Sequence, residues 1–259
     1  MSLALSLEPA GTVYLVGAGP GAADLLTLRA ARLLGQADIL FHDALVNPEI
    51  IALATRAEKV AVGKRCGRHS AAQRFINKRL VDAARSHAIV VRLKGGDPML
   101  FGRAQEEIDA LNAAGIRYEV VPGVTAALAA SADLGLSLTR RGVSRSVAFV
   151  TPRVGEGETS GNWVKAASSA DTAVIYMGAG EAEGIAQALI ASGRPGCTPA
   201  AIVENASLED ERRHFTTIAG LGETAKALGS GPALILIGEV YRQGMALTAT
   251  ADLQEVRAA

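Results

Sequence analysis

Short apolar runs alternate along the chain with longer stretches in which apolar positions recur at helical spacing. The first run, Thr12–Val16, is followed by a glycine turn and a predicted helix near Leu25–Leu34. Ile39–Phe41, a helix near Pro48–Ala54 and Val60–Val62 come next. Ser70 and Gln73 stand at capping-box spacing, in which the serine accepts from a free N–H and the glutamine reaches back, and they open a helix to about Ser86. Ile89–Leu93 reads as a fourth strand, a helix around Arg103–Ala114 stops at Gly115, and Tyr118–Val121 is a fifth strand. After Val121-Pro122-Gly123, read as a hinge because proline cannot donate to a ladder, a second set follows: Val147–Val150, Ala173–Tyr176, Ala200–Val203, His214–Ile218 and Ala233–Ile237. Such alternation predicts α/β architecture with mostly parallel sheets covered by helices. Two domains are expected, 11–121 and 122–245.

Composition narrows the classes. Hydrophobic residues make up 49% of the 259, enough for a sizeable core, and 28 glycines with 4% aromatics suit tightly connected α/β units. Lys+Arg and Asp+Glu are both 26, so the basic excess of a nucleic-acid binder is missing and no nucleic-acid partner is expected. Cys66 and Cys197 form no CxxC, and His42, His69, His87 and His214 have no ligand spacing, so no metal site is expected. The opening MSLALSLEPA lacks the features of a signal peptide, and no apolar run approaches the roughly 18 residues of a membrane span. A cytoplasmic location without membrane association is the expectation.

Candidate chemistry gathers after the strands. Gly17-Ala18-Gly19-Pro20-Gly21, His42-Asp43, Gly63-Lys64-Arg65, Lys94-Gly95-Gly96-Asp97-Pro98 and Pro122-Gly123-Val124-Thr125-Ala126 follow the first five runs. Met177-Gly178 and Glu204-Asn205-Ala206 follow runs of the second set. Strand ends of a parallel sheet share one edge, where ligands bind. Gly17, Gly19 and Ala22 satisfy the dinucleotide fingerprint, with Asp43 near the distance of a ribose-binding acid, so an NAD-binding oxidoreductase is a rival. Against it, Pro20 has no N–H for a pyrophosphate. Gly95-Gly96 allows close approach of a ligand to bare backbone, and Asp97 beside it either accepts from an amine or ribose hydroxyl or merely caps the next helix. Arg103 and Glu106 share a helix face, and an exposed pair of this kind carries little energy. Arg140, Arg141 and Arg145 form a basic cluster, which is usually a solvated loop and otherwise a group able to grip carboxylates. Met177 reads more often as core filler than as a ligand contact.

Taken together, GTVYLVGAGPG, LLTL, HDALV, VGKRCG, VVRLKGGDPMLFGR, VVPGVTAA, IYMG and AIVEN stand in the order and spacing of the tetrapyrrole methylase family, and the chain resembles that family from about Gly11 to Val240. The resemblance implies a homodimer of two-domain chains with the cofactor in the cleft between the domains. It implies two methyl transfers from S-adenosyl-L-methionine, leaving S-adenosyl-L-homocysteine, to uroporphyrinogen III to give precorrin-2. A methylase of a later corrin precursor and a non-catalytic relative are the alternatives within the family. The length leaves no room for the extra module of fused sirohaem synthases, so a stand-alone methylase is expected.

By motif position the resemblance assigns Pro20, Gly95, Gly96, Asp97, Leu100, Thr125, Ala126, Met177, Ala206 and Ala233 to the cofactor. Asp43 and Lys64 fall where the family's proton acceptor and donor are proposed. Arg103, Glu106, Arg141 and Met177 match positions implicated in handling the substrate. Four departures from the family pattern occur: Ala22 for an aspartate, Arg140 in a Thr-His-Arg, Pro152-Arg153 in a Val-Thr-Gly-His, and Glu211 for a glutamine.

Overall fold

A computed structural model describes residues 10–62, 69–155 and 161–246, and the chain divides into two compact units, 1–125 and 126–259.

The first unit is a five-stranded sheet built from β1 (Thr12–Gly17), β2 (Ile39–His42), β3 (Glu58–Ala61), β4 (Ile89–Lys94) and β5 (Arg117–Val121). Their order is β3-β2-β4-β1-β5 and every pairing is parallel. Parallel strands need crossovers, supplied here by α1 (Leu28–Gln36), α2 (Pro48–Ala52), α3 (His69–Ala84) and α4 (Ala104–Ala113). Helices cover both faces, so successive strand residues are buried in turn. Val13, Leu15, Phe41 and Val90 pack with Ile76, Leu80, Ile108 and Leu111. Val16, Leu40, Val91 and Leu93 pack with Leu33, Leu34 and Ile50.

Local signals start the helices. The Thr27 hydroxyl accepts from Ala30 N–H (3.2 Å) before α1. Asn47 accepts from Glu49 N–H (2.9 Å), with Pro48 at the first helical position of α2. The Asn47 amide also donates to the Gly21 carbonyl (3.0 Å), tying α2 to the glycine loop. The side chain of Ser70, at which a capping box with Gln73 is expected, lies outside the described residues, and α3 begins one residue earlier, at His69. Gln73 is buried and its amide donates to Asn77 (3.0 Å) and to Glu107 (3.3 Å), a buried carboxylate that needs donors.

The second unit opens with α5 (Ala126–Leu134) and holds β6 (Val147–Val150), α6 (Trp163–Ser169), β7 (Thr172–Ile175), α7 (Ala182–Ala191), β8 (Pro199–Glu204), β9 (Arg212–Thr217), α8 (Leu221–Ala225) and β10 (Ala233–Gly238). The order is β6-β7-β10-β8-β9. Five of the eight pairings in the two sheets are parallel, so the chain as a whole is α/β with mostly parallel pairing. The share is uneven, however, and the second sheet departs from the expectation. Only β6–β7 is parallel there, while β10 runs against both β7 and β8, and β8 and β9 form a hairpin. A buried apolar strand reads alike in either direction, which is why the pattern could not reveal this. Because β10 opposes both neighbours, β7 and β8 point the same way and end on one edge. Ala233, which begins β10, pairs with Glu204 at the end of β8 on that edge.

Leu15 is fully buried in the middle of the first sheet. Leu15→Ala should lower the unfolding free energy by about 2–5 kcal/mol, the scale of a core cavity, in urea titration of the first unit's transition.

Candidate active site

At the strand-end edge of the first unit, three loops bring bare backbone together. Gly19 N–H donates to the Gly96 carbonyl (3.2 Å) and Gly96 N–H to the Gly19 carbonyl (2.7 Å), joining the loops after β1 and β4. The loop after β5 stacks on both. A Cβ on Gly123 would lie 2.4 Å from the Gly96 carbonyl oxygen, and one on Gly17 would lie 2.6 Å from the Gly123 Cα. Asp97 fastens the stack, its Oδ2 accepting from Gly123 N–H (2.9 Å) and its Oδ1 from Met99 N–H (2.8 Å). A carboxylate offers about four acceptor positions, so each oxygen retains one for a ligand. Gly95 is exposed beside this clamp, with open space where a side chain would project, and Gly96 has φ +66°. Pro20, Leu100 and Thr125 are half-buried on the same loops. The result is a ledge of main chain with an adjoining carboxylate, a fit for a nucleoside carrying an amino-acid tail.

The dinucleotide rival fails on geometry. Gly19 spends its N–H and carbonyl on Gly96, and a 3-10 turn, Ala23–Leu25, separates the loop from α1. A helix N-terminus is therefore not presented to a pyrophosphate. Strand β4 lies between β1 and β2, so Asp43 is about 9–10 Å from β1 in the sheet plane rather than on the neighbouring strand.

Below the ledge lies a charged network. Arg92 and Lys94 sit on the central strand with side chains 3% and 4% exposed, and Glu107 of α4 is fully buried. Residues two apart share a face, so both cations meet the same carboxylate. Arg92 Nε donates to Glu107 Oε1 (3.0 Å), and Lys94 Nζ donates to Oε1 (3.0 Å) and Oε2 (2.9 Å). Arg92 Nη1 donates to the Leu93 carbonyl (3.1 Å) and Nη2 to Asp43 Oδ1 (2.6 Å). Burial works against the Arg92 charge, but Asp43 and Glu107 outweigh it and raise its pKa above the ordinary value. For Lys94, burial and then the neighbouring Arg92 cation win, and its pKa is lowered despite Glu107. Neither Arg92 nor Glu107 stands out in the sequence. The one available signal is an arginine and a lysine inside an otherwise apolar central run.

The other expected residues are divided. Arg103 pairs with Glu106 in a two-pronged contact, 2.6 and 2.8 Å, both side chains about half exposed. Arg103 has φ +56° at the start of α4, and Phe101 has φ +55°. Lys64 lies outside the described residues. In the second unit, Met177 (φ +56°) is 46% exposed and so is not core filler. Ala206, buried, and Ala233, half-buried, share its strand-end edge, where Asn205 N–H donates to the Pro232 carbonyl (2.9 Å). Ala126 is half-buried at the start of α5. Arg141 is not brought to this edge. It is exposed on the turn closed by Arg140 and Ser144, ahead of β6 and so at the opposite end of the sheet. All five non-glycine residues with left-handed backbone among the described residues, Phe101, Arg103, Met177, Asn205 and Ser207, follow β4, β7 or β8. Strain of about 1–3 kcal/mol per residue collected at strand ends is a mark of functional loops. No group of three or more His, Cys, Asp or Glu among the described residues is arranged to hold a metal.

A parallel sheet whose ends carry a glycine ledge and a carboxylate clamp has the build of an α/β enzyme with its candidate ligand site at the strand ends. The chain belongs to the Tetrapyrrole (Corrin/Porphyrin) Methylases, whose family model matches residues 12–222. It is 48% identical over 235 residues to a siroheme synthase of Chromobacterium violaceum, covering 90% of this chain and 50% of that protein. The chain thus spans about half the length of the siroheme synthases it matches. It is also similar to uroporphyrin-III C-methyl transferase of Thermus thermophilus, solved in complex with S-adenyl homocysteine, at 42% identity and TM-score 0.78, covering 90% of this chain and 99% of that one. A cobalt precorrin-4 methyltransferase has the same TM-score, 0.78, at 28% identity, over 88% of this chain and 95% of that one.

The loop after β8 sets Glu211, one of the positions that depart from the family pattern, against Asp133 of α5. Ser207 N–H donates to Asp133 Oδ2 (2.9 Å) and Glu211 Oε2 (3.1 Å), and Arg213 pairs with Glu211. Burial, then the hydrogen bond with Glu211, pushes the Asp133 carboxyl up to about 6. Burial also opposes the Glu211 charge, but hydrogen bonds from Asp133, Arg213 and Ser207 hold its pKa below the ordinary value. The folded chain therefore keeps an Asp133 proton that the unfolded chain, at 3.8, releases. That contribution to stability is complete below about pH 4 and is lost as pH rises through about 6. Asp133→Asn, which mimics the protonated group, should shrink the loss of stability between pH 5 and pH 7 in urea titrations; an unchanged difference would place the titration elsewhere.

Proposed function

We propose that this chain is an S-adenosyl-L-methionine-dependent C-methyltransferase that converts uroporphyrinogen III to precorrin-2 by two successive methylations. The observation that carries this reading is the Gly95–Asp97 ledge locked between the loops after β1 and β5, in a chain of this family. The higher identity to the Thermus uroporphyrin-III enzyme than to the cobalt precorrin-4 methyltransferase favours the earlier substrate over a later corrin. The same reading takes the working form to be a cytoplasmic homodimer. No helix among the described residues is long and apolar enough to cross a membrane.

When bound, S-adenosyl-L-methionine supplies an electrophilic methyl group on a sulfonium centre. The chain's own part is to orient and to move a proton. The Gly95–Gly96 backbone and the remaining acceptor positions of Asp97 hold the amino-acid and ribose ends. Orientation matters most, because a pyrrole carbon must meet the methyl group in line with sulfur at about 3–3.5 Å. After transfer the pyrrole is cationic and must lose a proton. Arg103 is unsuited to that step because a guanidinium stays protonated at neutral pH. It serves as an anchor, exchanging the Glu106 carboxylate for one on the carboxylate-rich substrate. Asp43 is the acceptor: Oδ1 is taken by Arg92 and Oδ2 has no partner among the described residues.

Incubation of the chain with uroporphyrinogen III and S-adenosyl-L-methionine, with product analysis by mass spectrometry, tests the assignment. A doubly methylated product is expected; methylation of later corrin precursors alone would move the chain to the second reading. Gly96→Val places a β-branched side chain at φ +66°. It should weaken S-adenosyl-L-homocysteine binding by about tenfold or more in calorimetry, through backbone strain, while the folded circular dichroism spectrum is retained. Asp43→Asn should keep cofactor affinity and lose roughly 10²-fold in single-turnover rate, the scale of general-base catalysis. A near-normal rate would leave water or a substrate carboxylate as the acceptor.

A further inference from the structure

Within the buried network, three of the four charged side chains are nearly or fully hidden, and the fourth, Asp43, is 35% exposed. The network therefore has one outlet, at the end of β2. Its pivot is Arg92, whose nitrogens are all engaged: Nε on Glu107, Nη1 on the Leu93 carbonyl and Nη2 on Asp43. A planar guanidinium held at three points cannot turn. Glu107 is held in turn by Lys94 and Gln73. Packing alone does not call for these groups. The same strand carries Val90, Val91 and Leu93, and apolar residues of similar volume often replace a buried ion pair without loss of stability.

We propose that Arg92, fixed by Glu107, is the positioning residue for Asp43 in methyl transfer: it occupies Oδ1 and thereby sets the direction in which Oδ2 is offered to the substrate proton. The inference rests on Asp43 being the proton acceptor and goes beyond it by naming what holds that acceptor. Lys94 gives the network a second consequence. It is the last residue of β4 before the Gly95–Gly96 ledge, and its ammonium sits on the same Glu107 carboxylate. One buried group thus sets both the proton acceptor and the root of the ledge.

Arg92→Lys is the discriminating substitution, because a single ammonium cannot bridge Asp43, Glu107 and the Leu93 carbonyl together. It is made alone and in the Asp43→Asn background, and Glu107→Gln likewise. Single-turnover methylation rate, S-adenosyl-L-homocysteine affinity by calorimetry and melting temperature are measured for each. Arg92→Lys alone is expected to lower the rate about tenfold or more with cofactor affinity within about twofold. In the Asp43→Asn background the same change should alter the rate by less than about twofold, since residues acting through one another are not additive. Glu107→Gln, which keeps the shape, should show a smaller loss with the same non-additivity. Equal losses with and without Asp43 would overturn the proposal, as would an unchanged rate in Arg92→Lys. If Arg92→Lys does not fold, Glu107→Gln decides; if neither folds, the network is a folding element and the proposal is wrong. Failure of the acceptor role itself shows separately, as full activity in Asp43→Asn alone.

Discussion

The first unit depends on one carboxylate. Glu107 is fully buried on α4 and is the shared counter-charge of Arg92 and Lys94, which project from the central strand into the same layer. Without it the Lys94 ammonium would stand unpaired in the interior and Arg92 would keep only Asp43, and breaking a buried pair costs about 3–5 kcal/mol. The contact also fixes geometry. It joins α4 to β4, takes in α3 through Gln73, and reaches the end of β2 through Arg92 and Asp43. Three consecutive elements and the earlier strand β2 are thereby registered at the edge where their loops emerge.

The loops themselves rely on a different economy. Those after β1, β4 and β5 approach so closely that side chains are excluded at Gly17 and Gly123. What is left to face outward is peptide backbone and the Asp97 carboxylate, which is engaged inward by two N–H groups. Such a surface is held in place by its cross-bonds and offers polar groups over a small contact area. In the second unit the corresponding edge is shaped by left-handed residues, Met177, Asn205 and Ser207, which turn the chain sharply after β7 and β8.

Much of this was legible in the chain before folding. Most strands announced themselves as short apolar runs, whereas β3 (EKVA) and β9 (RRHFTT) are largely polar and were only overlapped by the predicted segments; the paired glycines of the ledge have a direct local meaning. The network was not legible, since Arg92 and Glu107 are brought together by the packing of α4 on β4, and neither residue type betrays its partner. The direction of β10 was hidden because Leu234–Ile237 is uniformly apolar and buried. The helix Ala126–Leu134 is equally quiet, built of small and apolar residues with no polar stripe along most of its length. Arg141 belongs to a basic cluster that the sequence reads first as a solvated loop, and it is exposed on the turn closed by Arg140 and Ser144, at the end of the second sheet away from Met177.

The placement of β10 governs how the second unit comes into being. The last of its strands in sequence is the middle one in space, bonded to β7 on one side and β8 on the other. As the chain leaves the ribosome, β6–β7 and the β8–β9 hairpin can form early, but each keeps an open apolar edge until Ala233–Gly238 arrives. Open edges recruit foreign strands. The unit is therefore at its most aggregation-prone just before its synthesis is finished, and a chain broken ahead of Ala233 would carry two sticky half-sheets in place of one closed one.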